Sequence, residues 1–127
     1  MNGSSRSFWY RDVPYPTVRT VRNQAEAVAE VAAGTIVIIS PQGSPKSIKM
    51  LCPCGCGELL TIQLVRASGK SWSLVRGTRG EVSLYPSVWR DFGCESHFLL
   101  RNNIARLLYG NIPKMTAEEE ERWWNAP

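Results

Sequence analysis

The sequence lacks a long hydrophobic run. Its longest apolar stretch, Thr35–Ile39, is far shorter than the roughly 20 residues needed to cross a bilayer. The opening residues include Arg6 but no apolar stretch of signal-peptide length follows them. We therefore expect a cytoplasmic protein that does not contact a membrane.

The sequence also lacks a dense cluster of charges of one sign. Its 15 Lys and Arg residues exceed the 11 Asp and Glu residues only slightly, which gives a net charge of +4. A mild positive field attracts acidic partners, but nucleic-acid binding usually depends on a stripe of basic side chains. The scattered positions of the basic residues argue against nucleic acid as a partner.

Repeats and low-complexity linkers are absent as well. The chain has 127 residues, of which 43% are hydrophobic and 20% are charged, an ordinary composition for one folded domain. We predict a single domain over residues 1–127, with a motif core at about 35–107. An extended arm over residues 1–20 precedes this core. A helix at about 116–124 follows it, with Thr116 and Glu119 as a capping box, and we expect Trp123 and Trp124 to dock this helix on the body.

Cysteine and histidine are scarce, and those present lie in two short segments. Cys52, Cys54 and Cys56 alternate with Pro and Gly in residues 52–57, and Cys94 lies close to His97, the single histidine. Close spacing and a reducing cytosol both disfavour disulfides here. Because Gly and Pro allow a tight turn that aims several sulfurs at one point, the pattern predicts a Zn²⁺ site.

Two ligand arrangements follow from these residues. In the first, four thiolates close the site, and the zinc then stabilises the fold without an open coordination position. In the second, His97 replaces a thiol, or three protein ligands leave a fourth position for water, which permits Lewis-acid chemistry.

The distribution of apolar, β-branched and turn-forming residues along the rest of the chain predicts an α+β fold that is mainly β. A short amphipathic helix is predicted at residues 22–33, and a small antiparallel sheet or partial barrel stapled by zinc should follow it. The C-terminal helix completes this fold. The predicted strands are Thr35–Ile39, Ser47–Leu51, residues 59–65, residues 72–76, Val82–Tyr85 and His97–Arg101.

If sulfur alone satisfies the metal, His97 is available as a general base. A serine within hydrogen-bond reach would then be the nucleophile, and both Ser87 and Ser96 are candidates. Ser87 is favoured, since adjacent side chains such as Ser96 and His97 point to opposite faces of a strand. A third, orienting residue could be Asp91, Glu95 or Glu58.

Four of these segments together resemble a family of small bacterial proteins, the peptidase components of bacterial ubiquitination-like (Bub) operons. Members of this family were first catalogued as a domain of unknown function and are linked to antiphage defence. The resemblance covers about residues 35–107. The matching segments are Cys-Pro-Cys-Gly-Cys-Gly at 52–57, Trp72, Leu84-x-Pro86-Ser87-Val88 and Cys94-x-Ser96-His97-Phe98.

This resemblance implies a zinc-bearing, β-rich, serine-type peptidase. Its partner would be a ubiquitin-like protein or its conjugates, cleaved at the C-terminus of the ubiquitin-like protein. The implied metal ligands are Cys52, Cys54, Cys56 and Cys94, and the implied catalytic residues are His97 with Ser96 or Ser87.

We therefore expect His97 to take a proton from a serine hydroxyl that attacks the scissile carbonyl. Backbone N–H groups near Gly93 or Gly55 are the expected oxyanion donors. Two alternatives remain open at this point. One is a noncatalytic zinc-ribbon-like module that binds nucleic acid or protein, and the other is a zinc hydrolase in which the metal activates water.

Overall fold

A computed structural model describes residues 9–64, 71–90, 93–109 and 116–124. These ranges contain two helices, α1 (Gln24–Glu30) and α2 (Ala117–Trp124), and neither is long and apolar enough to cross a membrane. The strands in chain order are β1 (Trp9–Pro14), β2 (Thr17–Val21), β3 (Thr35–Ile39), β4 (Ser47–Leu51), β5 (Leu59–Gln63), β6 (Ser73–Arg76), β7 (Val82–Tyr85), β8 (Val88–Trp89), β9 (His97–Arg101) and β10 (Ile104–Tyr109).

The first sheet is antiparallel and has the order β1-β10-β9-β8. Asn102 and Asn103 connect β9 to β10 with φ values of 51° and 67°. Two successive left-handed residues form the tight turn that suits a hairpin, and Asn tolerates this conformation well. The register at the other edge of β9 pairs Trp89 of β8 with His97, so the single histidine lies beside an edge strand.

The second sheet has the order β2-β3-β4-β5. Its β2 and β3 are parallel, because α1 provides the crossover between them, and the other pairs are antiparallel. Every residue of β3 is buried. Ile36 and Ile38 belong to the main core, while Val37 and Ile39 pack with Ala27 of α1. Burial on both faces explains the uninterrupted apolar sequence of this strand.

Both sheets contribute to one main core. The small hairpin formed by β6 and β7 adds Val82 and Leu84 to it. The largest fully buried side chains are Phe98, Leu100 and Leu107 from the first sheet and Ile36, Ile38, Ile48 and Met50 from the second. Since β9 supplies two of these side chains, the core fixes the strand that begins with His97.

The predicted fold class is confirmed: the protein is mainly β, with antiparallel sheets, a short first helix and a C-terminal helix. Four strands, β3, β4, β7 and β9, have the predicted bounds. Two others are shorter than predicted, since β5 ends at Gln63 and β6 begins at Ser73. The Ser-Gly pair in residues 67–70 also predicts a turn, but these residues lie outside the described part of the chain.

Several elements differ from the sequence expectation. The predicted extended arm contains β1 and β2, because β1 pairs with β10 far along the chain. Helix α1 is shorter than residues 22–33: the Asn23 side chain accepts the Glu26 N–H at 2.9 Å, and Val31 is already extended as the chain returns to the sheet. Strands β8 and β10 were not predicted from the sequence.

The predicted capping box at the start of α2 is confirmed. The Glu119 N–H donates to the Thr116 hydroxyl oxygen at 3.2 Å, and the Thr116 N–H donates to the Glu119 carboxylate at 2.8 Å. Docking of α2 involves Trp124, whose ring lies under the guanidinium groups of Arg101 and Arg106. The side chain of Trp123, which was also expected to dock, lies outside the described part of the chain.

The core assignment predicts a large loss of stability for Ile48→Ala. The Ile48 side chain is fully buried in β4, so truncation should lower the free energy of unfolding by about 2–5 kcal/mol, against about 0.5–1.5 kcal/mol for Ile48→Val. Val28→Ala, at a position 65% exposed, is the control and should change stability by less than about 0.5 kcal/mol. Urea denaturation measures all three, and equal effects at positions 48 and 28 would refute the assignment.

Candidate active site and metal centre

The first three cysteines lie in a tight loop between β4 and β5. The Cys52 N–H donates to the Glu58 carbonyl at 2.8 Å, and the Gly55 N–H donates to the Cys52 carbonyl at 3.1 Å. Gly55 reverses the chain at a φ of 89°, a conformation that side-chain-bearing residues rarely adopt. This reversal lets thiols that are separated by single residues approach one another.

Cys94 joins this loop from the segment before β9. Its sulfur lies 3.5 Å from the Cys52 sulfur, and the Cys52 and Cys54 sulfurs are 3.4 Å apart. All four sulfurs lie within 4.8 Å of one another. Zinc–sulfur bonds of about 2.3 Å in a tetrahedron place sulfurs about 3.8 Å apart, so the four thiols fit a tetrahedral metal ion.

Polar groups around the thiols stabilise negative charge. Arg90 Nη1 donates to the Cys94 sulfur at 2.9 Å, and Arg90 Nη2 donates to the Glu58 carboxylate at 2.6 Å. Although burial acts to raise it, hydrogen bonds from Ser96 and from the neighbouring thiols lower the pKa of Cys94 to about 6. Burial and hydrogen bonds to Cys56 and Cys52 raise the pKa of Cys54 to about 12.

The pKa values of Cys94 and Cys54 are therefore shifted in opposite directions. A divalent cation would favour the thiolate form of every ligand, so metal binding would release the remaining protons. The predicted ligand set of Cys52, Cys54, Cys56 and Cys94 is therefore brought together, and the metal-binding cluster among the described residues contains no histidine.

Ser96 lies at this cluster. Its hydroxyl oxygen is 3.2 Å from the Cys52 sulfur and 3.3 Å from the Cys94 sulfur. The hydroxyl therefore contacts the thiols rather than the neighbouring His97 ring. This placement agrees with the expectation that adjacent strand side chains point to opposite faces.

Ser87 and His97 form a pair. Ser87 lies between β7 and β8, and its hydroxyl oxygen is 2.8 Å from Nε2 of His97. The Trp72 indole N–H donates to the Ser87 carbonyl at 3.1 Å and fixes the backbone of this segment. This distance is within the hydrogen-bond reach that a nucleophile and its general base require.

The His97 ring is held in an apolar setting. It is buried, and the Trp89 ring stacks on it with a centroid distance of 4.4 Å and an interplanar angle of 10°. Burial lowers the pKa of His97 from 6.5 to about 4. The ring is therefore neutral near pH 7 and can accept a proton. Its Nδ1 has no hydrogen-bond partner among the described residues.

A carboxylate that was not predicted from the sequence contacts the serine. Glu120 of α2 accepts the Ser87 hydroxyl at 2.6 Å through Oε2 and the Ser87 N–H at 3.0 Å through Oε1. Glu120 lies 33 residues from Ser87 and belongs to a run of four glutamates, so no sequence signal distinguished it.

The three predicted orienting carboxylates are placed differently. Glu58 pairs with Arg90, and Glu95 is exposed on the loop before β9. Asp91 lies outside the described residues. Of the two expected oxyanion donors, the Gly55 N–H is engaged in the thiol loop, and Gly93 lies against Glu58 and Arg90. The Ser87 N–H, which was not among the expected donors, is held against the Glu120 carboxylate.

Two open clefts flank the Ser87 segment, and both are lined by Trp72. One, of about 270 Å³, lies between β5 and β8 and is lined by Leu59, Ile62, Trp89 and Arg90 among others. The other, of about 680 Å³, is bordered by Leu74, Tyr85 and Pro86. The two clefts thus border the residues on either side of Ser87, Pro86 in the larger and Val88 in the smaller.

A small β-rich fold in which a half-buried serine contacts a buried histidine, beside four thiols that could hold a metal ion, is the arrangement expected of a serine hydrolase with a metal centre. Residues 21–108 match the family model described as the bacterial ubiquitination-like system serine protease (BubE). The chain belongs to this family and is a serine-type peptidase. Comparison with curated proteins and with solved structures gave no match.

The buried, stacked setting of His97 predicts an unusual titration. As the single histidine, it should give the only imidazole C–H signals in the NMR spectrum of a tag-free protein. Their titration midpoint should lie well below 6.5, near about 4, because protonation must place a charge in an apolar environment. Trp89→Ala should move the midpoint back toward 6.5, and a wild-type midpoint at or above 6.5 would contradict the burial of a neutral imidazole.

Proposed function

We propose that this peptidase cleaves at the C-terminus of a ubiquitin-like protein, with Ser87 as nucleophile and His97 as general base. The distance of 2.8 Å between the Ser87 hydroxyl and His97 Nε2 is the observation that carries this proposal. The family supplies the setting, a bacterial ubiquitination-like system, and therefore the class of partner.

In the proposed reaction, neutral His97 takes the hydroxyl proton at Nε2 while Ser87 Oγ bonds to the scissile carbonyl carbon. The imidazolium then protonates the leaving amine, and an acyl-enzyme remains. Water deprotonated by His97 releases the carboxylate product. The N–H of Ser87 is the oxyanion donor that we assign, since it already holds a carboxylate oxygen at 3.0 Å.

Among the described residues, the base has no carboxylate partner at Nδ1. The stacked Trp89 ring and the register of β8 against β9 orient the imidazole instead. We therefore assign catalysis to a serine–histidine dyad whose base is positioned by packing rather than by a hydrogen-bonded acid.

The proposed substrate segment is an extended C-terminal tail. Strands β5 and β8 each lie at the edge of a sheet, and the lining of the cleft between them includes Val88, the residue after Ser87. Backbone groups at a sheet edge can pair with an added strand, and the apolar lining from Leu59, Trp72 and Trp89 favours a chain with small or apolar side chains.

The proposed metal is Zn²⁺ in a closed site formed by Cys52, Cys54, Cys56 and Cys94. Four thiolates leave no open coordination position, so the ion would supply folding energy rather than Lewis-acid chemistry. It would tie the loop after β4 to the segment before β9 and so hold His97 in place.

We place this activity in the cytoplasm, as precursor maturation or deconjugation within a pathway linked to antiphage defence. The absence of a helix able to cross a membrane in the described ranges agrees with this setting.

Substitution of the dyad should abolish cleavage of a ubiquitin-like precursor. Ser87→Ala and His97→Gln should each lower kcat/KM by at least about 10³, because nucleophile and base act as one unit. Ser96→Ala is the matched control and should retain activity within a few-fold. A fluorophosphonate probe should label Ser87 in the wild type. Loss of activity in Ser96→Ala together with full activity in Ser87→Ala would reverse the assignment.

Metal removal should destabilise the fold. Elemental analysis should find one zinc per chain, and Cys54→Ser should lose it. Loss of several kcal/mol of metal-dependent stability should lower the melting temperature by roughly 10 °C or more, and a zinc chelator should have the same effect. The chelator presaturated with zinc is the control. If chelation abolished activity while the circular-dichroism melt stayed unchanged, metal-activated water would be the better mechanism.

A further inference from the structure

Glu120 has an unusual position for an acidic residue. It is only 7% exposed, and it is the single buried residue among the α2 positions whose side chains are described. A buried carboxylate is strongly unfavourable unless hydrogen bonds compensate it. Here the compensating donors are the Ser87 N–H and the Ser87 hydroxyl, the groups on which the proposed reaction depends.

These contacts are incompatible with attack by Ser87. The hydroxyl carries one proton, and its bond of 2.6 Å to Glu120 directs that proton away from His97. Glu120 Oε1 also engages the N–H that would bind the oxyanion. A third residue of a catalytic triad would instead contact the base, and no contact between Glu120 and His97 Nδ1 exists in the described structure.

We propose that the N–H and hydroxyl of Ser87 form a carboxylate-binding site next to His97, and that Glu120 fills it in place of the carboxylate released by cleavage. The ligand class is a terminal carboxylate of the product, and α2 acts as an internal competitor for the site. This inference rests on the proposed function, because the product of the proposed reaction supplies the ligand.

The attachment of α2 suits a segment that can be displaced. Arg101 forms two hydrogen bonds of 2.8 Å to Glu121, whose side chain is 52% exposed, and Arg106 donates to the Trp124 carbonyl at 2.6 Å. The Arg101–Glu121 pair is partly exposed, and such ion pairs contribute little net stability. A substrate tail that enters the site would compete with the Glu120 carboxylate and with these contacts of α2.

The kinetic test uses Glu120→Gln and Glu120→Ala, with Glu118→Gln as the control on the exposed side of the same helix. Suppose that the state in which Glu120 contacts Ser87 is about tenfold more populated than the state in which Ser87 is accessible. Both Glu120 variants should then raise kcat/KM for a ubiquitin-like precursor by about tenfold, and the control should not. Glu120→Gln preserves the shape of the side chain, so the two variants together separate folding defects from loss of charge. Lower or unchanged kcat/KM in both variants would overturn the proposal.

A binding test does not depend on cleavage. Acetate should perturb the imidazole NMR signals of His97 saturably in Glu120→Ala, whereas the wild type should respond much more weakly because its tethered carboxylate occupies the site. Acetamide is the neutral control. An equal response in both proteins, or no response in Glu120→Ala, would refute the carboxylate site. If acetate binds as expected but no variant cleaves any ubiquitin-like precursor, the proposed function fails and the carboxylate site stands.

Discussion

The meeting of two loops at the thiol cluster constrains the rest of the site. One loop follows β4 of the second sheet, and the other precedes β9 of the first sheet, yet the sulfurs of Cys52 and Cys94 are 3.5 Å apart. Four thiolates at such distances would repel one another, so a metal-bound, fully ionised cluster would need the positive charge that a divalent cation and Arg90 can provide. Because His97 begins β9 directly after this junction, the cluster determines where the base lies.

The short segment formed by β8 and Arg90 connects the metal centre to the base. Trp89 stacks on His97, and the next residue, Arg90, donates to Cys94. Successive side chains of a strand point to opposite faces, so neighbouring residues can serve two different sites. The Arg90 N–H bonds to the Ser96 carbonyl at 2.9 Å and extends the pairing toward the thiols. Loss of order at the metal centre would therefore disturb the position of the His97 imidazole, because the pairing of β8 with β9 connects the two.

The parts of the fold and of the site that could be predicted are those with a signature in a few consecutive residues. The uninterrupted apolar β3, the thiol pattern with its glycines and the capping box of α2 each have a signature within a few residues. Strand β1 and the contact of Glu120 with Ser87 have none, because both depend on tertiary pairing between distant segments. The two consecutive asparagines before β10 did mark a hairpin turn and could have revealed that strand.

The burial of Glu120 couples the docking of α2 to the availability of the nucleophile. The buried carboxylate of the helix is held by the N–H and hydroxyl of Ser87, so docking and substrate binding use the same groups. Two ligands that share one site exclude each other, and any change that stabilises the docked helix must lower the fraction of protein able to react. The stability of α2 is thus a direct determinant of activity, although the helix lies beyond the segment that matches the family.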